Sequence, residues 1–392
     1  MKILLLFFLV AGMVGAADSS IVTGMNAFTA ATYKNVAQGS GNLILSPFNI
    51  ATALSMVLEG ARGATANQIA ATLHQHYGDS YDAALAALQS ELAKAGNGDG
   101  NQLLMANRVW VQRGFPIQAA FEKALADNYH APLTPLDFAG SAGAARETIN
   151  RWTAEHTKDR IKEIIGPGSL NRDSRMVLTS AIYFYGKWQA PFLTSRTEPG
   201  SFQTAAGAKT DAKFMNQTAR FNYAENAASQ ILEMPYARTG IAFDVILPKS
   251  RDGLAAMEKS LTPENLTGWL GHLSDRKVQV IFPKFRAEAE FSLRSTLSAM
   301  GMPAAFSDAA DFSGINSSSQ LRISDVVHKA FVDVAEEGTE AAAATGTHVV
   351  MAAARMPEQP VVFRADHPFL FVIRDTRSGI ILFIGRLTAP KA

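Results

Sequence analysis

The spacing of the apolar residues changes near the middle of the chain, and this change limits the folds open to it. At 25–73, 81–95, 117–129 and 144–165 apolar residues recur at helical spacing, with one strand-like run, LLMANRVWVQ at 103–112, among them. From 176 onward they gather instead in short β-branched and aromatic runs, at 176–185, 229–235, 241–247, 277–285, 331–334, 361–363, 369–373 and 380–387. A helix-rich first half followed by a strand-rich second half predicts an α+β fold with large, mainly antiparallel sheets. No linker, low-complexity tract or repeat divides the chain, so residues 17–392 are expected to form one domain. Ser46-Pro47 can start a helix with proline in its first turn. Asp375-Thr376-Arg377-Ser378-Gly379 is a turn signal between two apolar runs and predicts a buried hairpin.

The N-terminus, MKILLLFFLVAGMVGAADSS, has Lys2, an apolar run too short to span a bilayer comfortably, and then Val14-Gly15-Ala16. This is the pattern of a secretory leader cleaved after Ala16, with residues 1–16 removed. A membrane anchor fits less well, because polar residues follow at once. The expected location is therefore secreted and extracellular, or periplasmic in a bacterium, with no membrane association after cleavage. A net charge of +1 and the absence of a dense basic cluster give no pull toward nucleic acid. The stretch 158–162, KDRIK, carries an acid and reads as a solvated helix face. With no cysteine the chain is neither a thiol enzyme nor a cysteine-ligated metal protein.

Catalytic and cofactor motifs are absent. There is no G-x-S-x-G turn, no H-E-x-x-H and no phosphate-binding glycine loop; Gly186-Lys187 lacks the upstream glycine. His74 and His76 are close in sequence but have no third ligand at suitable spacing, so no metal is expected. No cofactor is implied, and nothing supports an enzyme, although a hydrolase with an unfamiliar site is the alternative of a different class. Asn216, Asn265 and Asn316 begin glycosylation sequons.

The other distinctive feature is the tract EEGTEAAAATGTHVVMAAARMPEQP at 336–360, an alanine run with hardly a bulky side chain. Local propensity alone allows a short exposed helix N-capped by Thr339. Its flanks point elsewhere. NLILSPFNIATALSMVLEGARGATANQI (42–69), INRWTAEHTKDRI (149–161), LTSAIYFYGKW (178–188) and FPKF (282–285) are followed by LSAMGMPAAFSDAADFSGI (297–315), VVHKAFVDVAEEGTEAAAAT (326–345) and HPFLFVIRDTRSGIILFIGRL (367–387). Together and in this order these blocks resemble the serpin family, over about residues 25–390.

The resemblance implies about nine helices and three sheets, with 336–360 as an exposed reactive loop. It also implies a suicide-substrate inhibitor of endopeptidases. The target cleaves the loop, the acyl-enzyme is trapped, and the loop enters the central sheet as a new strand. A strand that must pass between two others cannot carry large inward side chains. Alternation along a strand puts Thr339, Ala341, Ala343 and Thr345 on one face, and Glu340, Ala342 and Ala344 on the solvent face. Glu336 and Glu337 precede them, and Gly338 is suited to the point where the chain turns back. This pattern matches inhibitory members; a non-inhibitory chaperone or carrier is the alternative within the family.

By position, Trp188 matches a tryptophan near the top of the central sheet, and Lys284 with Glu336 a charge pair at the base of the loop. If solvated, such a pair contributes about 0 to 1 kcal/mol. Ser46, Asn49, Ser180 and His328 match a polar cluster beneath the strands that part. Many relatives have serine at position 49 and asparagine at position 180, so the two residue types are exchanged here. An amide moved across the cluster would keep the same hydrogen-bond inventory.

Family spacing places the scissile bond at Ala352-Ala353, which suits an elastase-like or subtilisin-like protease with a shallow, uncharged primary pocket. Arg355-Met356 is the alternative and suits a trypsin-like protease. Pro357 disfavours cleavage after Met356. The expected partner is the target protease, held as a covalent acyl complex by an otherwise monomeric inhibitor prone to loop-sheet polymers.

Overall fold

The computed structural model describes residues 16–76, 78–98, 100–317, 321–339 and 358–390. The expected leader, apart from Ala16, lies outside the described residues, as does most of the alanine tract. The chain begins with α1 (Ala16–Val36), β1 (Leu43–Leu45), α2 (Pro47–Leu58), α3 (Gly63–Thr72) and α4 (Asp79–Gly96). Next come β2 (Gln102–Gln112), α5 (Ala119–Tyr129), β3 (Thr134–Leu136), α6 (Phe138–His156) and β4 (Met176–Lys187). The strand-rich part holds β5 (Glu198–Gln203), β6 (Lys209–Glu225), β7 (Ser229–Pro235), β8 (Ile241–Pro248), α7 (Leu254–Lys259), α8 (Pro263–Gly271), β9 (Ser274–Pro283), β10 (Phe285–Ser292) and α9 (Arg294–Ala299). The chain closes with β11 (Ile323–Ala335), β12 (Gly338–Thr339), β13 (Val361–Arg364), β14 (Phe369–Asp375) and β15 (Ile381–Leu387).

The described strands form two hydrogen-bonded sheets. The central sheet runs β10-β11-β12-β4-β2-β3, and the second runs β1-β15-β14-β8-β7-β6-β9-β13, with β5 also on β6. Of the three sheets expected, two are thus joined. The link is β6, which pairs with β5 around Phe214 and with β7 around Tyr223. β6 and β10 were not expected as strands: their sequences, KTDAKFMNQTARFNYAE and FRAEAEFS, bury side chains mainly on one face, Phe214 of β6 excepted, and contain no long apolar run. β1 and β5 were likewise unread.

α2 is the packing centre. Ser46 caps it, accepting from the Asn49 amide at 3.3 Å, Pro47 occupies its first turn, and all its residues are buried. The hairpin expected around 375–379 is present as β14–β15, with the Asp375 carboxylate accepting from the Ser378 amide.

α6 ends at His156, short of the expected 165. Lys158 and Asp159 adopt left-handed backbone, so KDRIK is a turn and not a helix face. The chain then folds back: Thr157 Oγ1 accepts from the Ile161 amide, and Asn150 Oδ1 from the amides of Ile164 and Ile165. The three isoleucines so placed join Trp110, Phe138 and Ile149 in a small core between α6 and the central sheet. No described helix is long and apolar enough to cross a membrane. Of the sequon asparagines, Asn316 is fully buried and donates to the Pro116 carbonyl, which leaves it closed to glycosylation in the fold.

Candidate hinge and sheet-opening site

β4 and β11 run parallel and pair directly from Ile323↔Met176 to Phe331↔Tyr183. Beyond Phe331 they diverge, and β12 fills the gap. Gly338 and Thr339 pair antiparallel with Ala335 and Val334 of β11 on one side, and with Lys187 and Gly186 of β4 on the other. Thr339 is therefore a strand residue and not a helix cap. It points inward, fully buried, with Oγ1 2.5 Å from the Tyr236 hydroxyl.

The reversal from β11 into β12 is made by Glu336 and Glu337, so Gly338 lies one step past the turn. It is needed there for space: a Cβ on Gly338 would stand 1.9 Å from the Gly186 carbonyl oxygen. The turn is clamped from the other chain segment. The Trp188 amide donates to the Glu337 carbonyl (2.7 Å), and the Phe192 amide to that of Glu336 (2.8 Å). The Trp188 indole donates to the Ala335 carbonyl at 2.9 Å and stacks on Tyr236 at 4.6 Å.

Lys284 and Glu336 pair at 2.6 Å. Glu336 is buried, and its other oxygen accepts from Thr197 at 2.9 Å. The pair is thus not a solvated one. Burial works to raise the Glu336 pKa, but the hydrogen bonds from Lys284, its own backbone and Thr197 outweigh it and hold the carboxyl below its ordinary value.

Lower between the same strands, the four cluster residues meet. The Ser46 amide donates to His328 Nε2 at 2.9 Å. His328 Nδ1 lies 2.9 Å from the Ser180 carbonyl and 3.1 Å from its hydroxyl. Since Nε2 accepts, the ring is neutral and the proton sits on Nδ1. Complete burial agrees, lowering the His328 pKa to about 3. Asn49 Nδ2 donates to Ser180 Oγ (2.9 Å) and to the Ala181 carbonyl (3.0 Å), so the amide reaches across to the β4 serine.

Sequence reading missed Asn107, which donates to Asn49 Oδ1 at 2.8 Å, and it missed Tyr236. Asn107 stands beside Arg108 within an apolar run and Tyr236 just after one, and neither position carries a local signal. Glu340, Ala341, Ala342, Ala343, Ala344 and Thr345, and the candidate bonds Ala352-Ala353 and Arg355-Met356, lie outside the described residues. Among the described residues no three His, Cys, Asp or Glu side chains gather as a metal site.

Comparison with known proteins agrees with this geometry. The family model for serpins, described as serine protease inhibitors, matches residues 23–390. An uncharacterized serpin-like protein of Thermococcus kodakarensis is 38% identical over 376 residues, 95% of this chain and 87% of the relative. The leukocyte elastase inhibitor of Xenopus tropicalis is 37% identical over 363 residues, 91% of this chain and 95% of the relative. The crystal structure of Serpin48, a highly specific serpin of the insect Tenebrio molitor, superposes with a TM-score of 0.85 at 32% identity, covering 97% of this chain and all of that one. On the extent of these matches the chain belongs to the serpin family, which is described as one of serine protease inhibitors rather than of enzymes.

Proposed function

We propose that the protein is a suicide-substrate inhibitor of serine endopeptidases, with cysteine endopeptidases as further targets. One observation carries this reading: Gly338 and Thr339 already occupy the slot between β11 and β4, in register with both. The residues that follow, Glu340 to Thr345, are small on the face that Thr339 turns inward. The target's nucleophile attacks the carbonyl of Ala352, forming an ester with a serine enzyme or a thioester with a cysteine one, and the amide bond breaks to release, with a proton on its nitrogen, the peptide that begins at Ala353. The freed strand then extends β12 down the β11–β4 seam and carries the ester away before water completes hydrolysis.

Alanine before the bond favours an elastase-like or subtilisin-like target, and the Xenopus relative is named as an elastase inhibitor. The leader at 1–16 supports an exported protein. Mixing the protein with pancreatic elastase, and separately with trypsin, tests the reading on denaturing gels with mass analysis of the released peptide. A denaturant-stable complex and a peptide starting at Ala353 are expected with elastase. A peptide starting at Met356 transfers specificity to Arg355 and a trypsin-like target. Cleavage without any complex, and without a gain in heat stability, rejects inhibition in favour of a non-inhibitory role.

A further inference from the structure

The ladder between β2 and β4 ends at Gln102↔Tyr185, but β4 runs on to Lys187, where it faces the hinge. Gly338 stands opposite Lys187, and the next residue, Trp188, sends its amide to the Glu337 carbonyl. Lys187 turns its own amide and carbonyl the other way, to the β2 side, beyond the last backbone rung that β2 supplies. Backbone groups buried there need partners from elsewhere.

Asn101 supplies one with its side chain. Its backbone is already committed, exchanging two hydrogen bonds of 2.8 and 3.2 Å with Gly98 in the turn that follows α4. Its carboxamide carries the same donor and acceptor as a peptide group, and so can stand in for a missing rung. Oδ1 accepts from the Lys187 amide at 2.8 Å. Nδ2 donates to the Ala237 carbonyl at 2.9 Å and, at 3.3 Å, to that of Gly98. Ala237 closes the ring, its amide donating to the Lys187 carbonyl at 2.7 Å. Asn101 is 2% exposed, so water does not compete for these bonds.

The two residues so held flank the hinge on different elements. Lys187 is the β4 partner of Gly338, while Ala237 follows Tyr236, whose hydroxyl meets Thr339. Trp188 and Tyr236 meet across the same junction in an isolated backbone bridge and a ring stack. One asparagine therefore fixes the end of β4 relative to the segment after β7.

We propose that Asn101 is a positioning residue for the reactive loop: through Lys187 and Ala237 it holds the two walls of the slot that β12 occupies. Its effect on protease trapping rests on the inhibitory reading, whereas its hold on the slot does not.

Hydrogen–deuterium exchange of the full-length protein, read by mass spectrometry, tests that hold. Asn101→Ala should speed exchange in peptides covering 186–188 and 336–339 by about tenfold or more, the effect of unpairing two buried groups. Asn42→Ala is the control. Asn42 is also bound several times through its side chain, to Thr388 and Ala389, but it lies beside β1 and β15 in the other sheet. It should leave hinge exchange at the wild-type rate. With elastase, Asn101→Ala should raise the ratio of cleaved inhibitor to denaturant-stable complex several-fold, and Asn42→Ala should not. If Asn101→Ala does not fold, Asn101→Asp, which keeps the acceptor and loses the donor, decides by the same readouts. The proposal is overturned if hinge exchange stays at the wild-type rate, or if Asn42→Ala speeds it equally. It also falls if wild type traps elastase and the Asn101 variant traps it in the same ratio. A wild type that forms no complex defeats the inhibitory reading and leaves the exchange result to decide on Asn101.

Discussion

The hydroxyl of Tyr236, on the segment that follows β7, lies 2.5 Å from Oγ1 of Thr339, and both residues are buried. The tyrosine also carries the Trp188 indole flat against one face and meets Phe184 edge-on at 4.8 Å. Burial pushes its pKa far above the ordinary phenol value, so the contact stays a neutral hydrogen bond at any working pH. It ties the first inserted side chain to the second sheet.

Tyr236→Phe keeps the ring packing and strands the Thr339 hydroxyl. The expected loss is about 1–3 kcal/mol, the cost of a buried polar group without a partner. Limited proteolysis should reach the 336–340 segment faster in this variant, read by mass spectrometry of the first fragments. Unchanged cleavage kinetics would mean that the hydroxyl pair does not hold the hinge.

Gly338→Val places a side chain against the Gly186 carbonyl, where even a Cβ would stand at 1.9 Å. Backbone cannot give way cheaply, so β12 should leave its slot. With elastase, cleavage is expected to continue while the denaturant-stable complex falls to a small fraction of its wild-type yield on gels.

Lys284→Met leaves the Glu336 carboxylate buried with Thr197 as its remaining side-chain donor. A destabilisation of about 1–3 kcal/mol is expected, more than for an exposed pair. Adding Glu336→Gln should restore part of it. A double-mutant cycle in urea measures the coupling, and a value near zero would show the pair to be ornamental.

His328 and Asp244 should pull stability in opposite directions with pH. The folded His328 pKa of about 3 lies below its ordinary 6.5, so only the unfolded chain binds that proton in between, and stability is lost as pH falls from 6.5. Burial and the charge of Glu233, opposed by Arg374, raise Asp244 from 3.8 to about 7. There the folded chain keeps a proton that the unfolded chain has released, and the stability this confers is lost as pH rises through 7. Each slope is at most about 1.4 kcal/mol per pH unit. Between pH 4.5 and 6.5, His328→Gln should therefore make stability fall with rising pH, and Asp244→Asn should make it rise. Urea midpoints across that window check the sign: a rising slope in His328→Gln would contradict the Asp244 assignment, and a falling slope in Asp244→Asn the His328 assignment.

Much of this was legible from residue order. Ser46-Pro47 marks the start of α2 because the cap and the proline each satisfy a local rule, and Asp375 to Gly379 mark a hairpin for the same reason. What stayed hidden depends on partners distant in sequence. β6 looks polar because one of its faces is wet, and α6 stops at His156 because Ile161, Ile164 and Ile165 gain more by folding back onto Trp110 than by prolonging a helix. The Lys284–Glu336 pair was legible as a pair, while its burial under the β11–β12 turn was not.

One feature of the central sheet bears on where its energy lies. β4 and β11 meet as a parallel ladder, the slightly weaker kind per residue, and β12 is antiparallel to both. Every further residue added to β12 therefore unzips one slanted ladder and closes two straight ones. In the proposed insertion the sheet acts as a spring: each step down the seam, counted from Gly338 and Thr339, replaces a poorer set of bonds with a better and more numerous one.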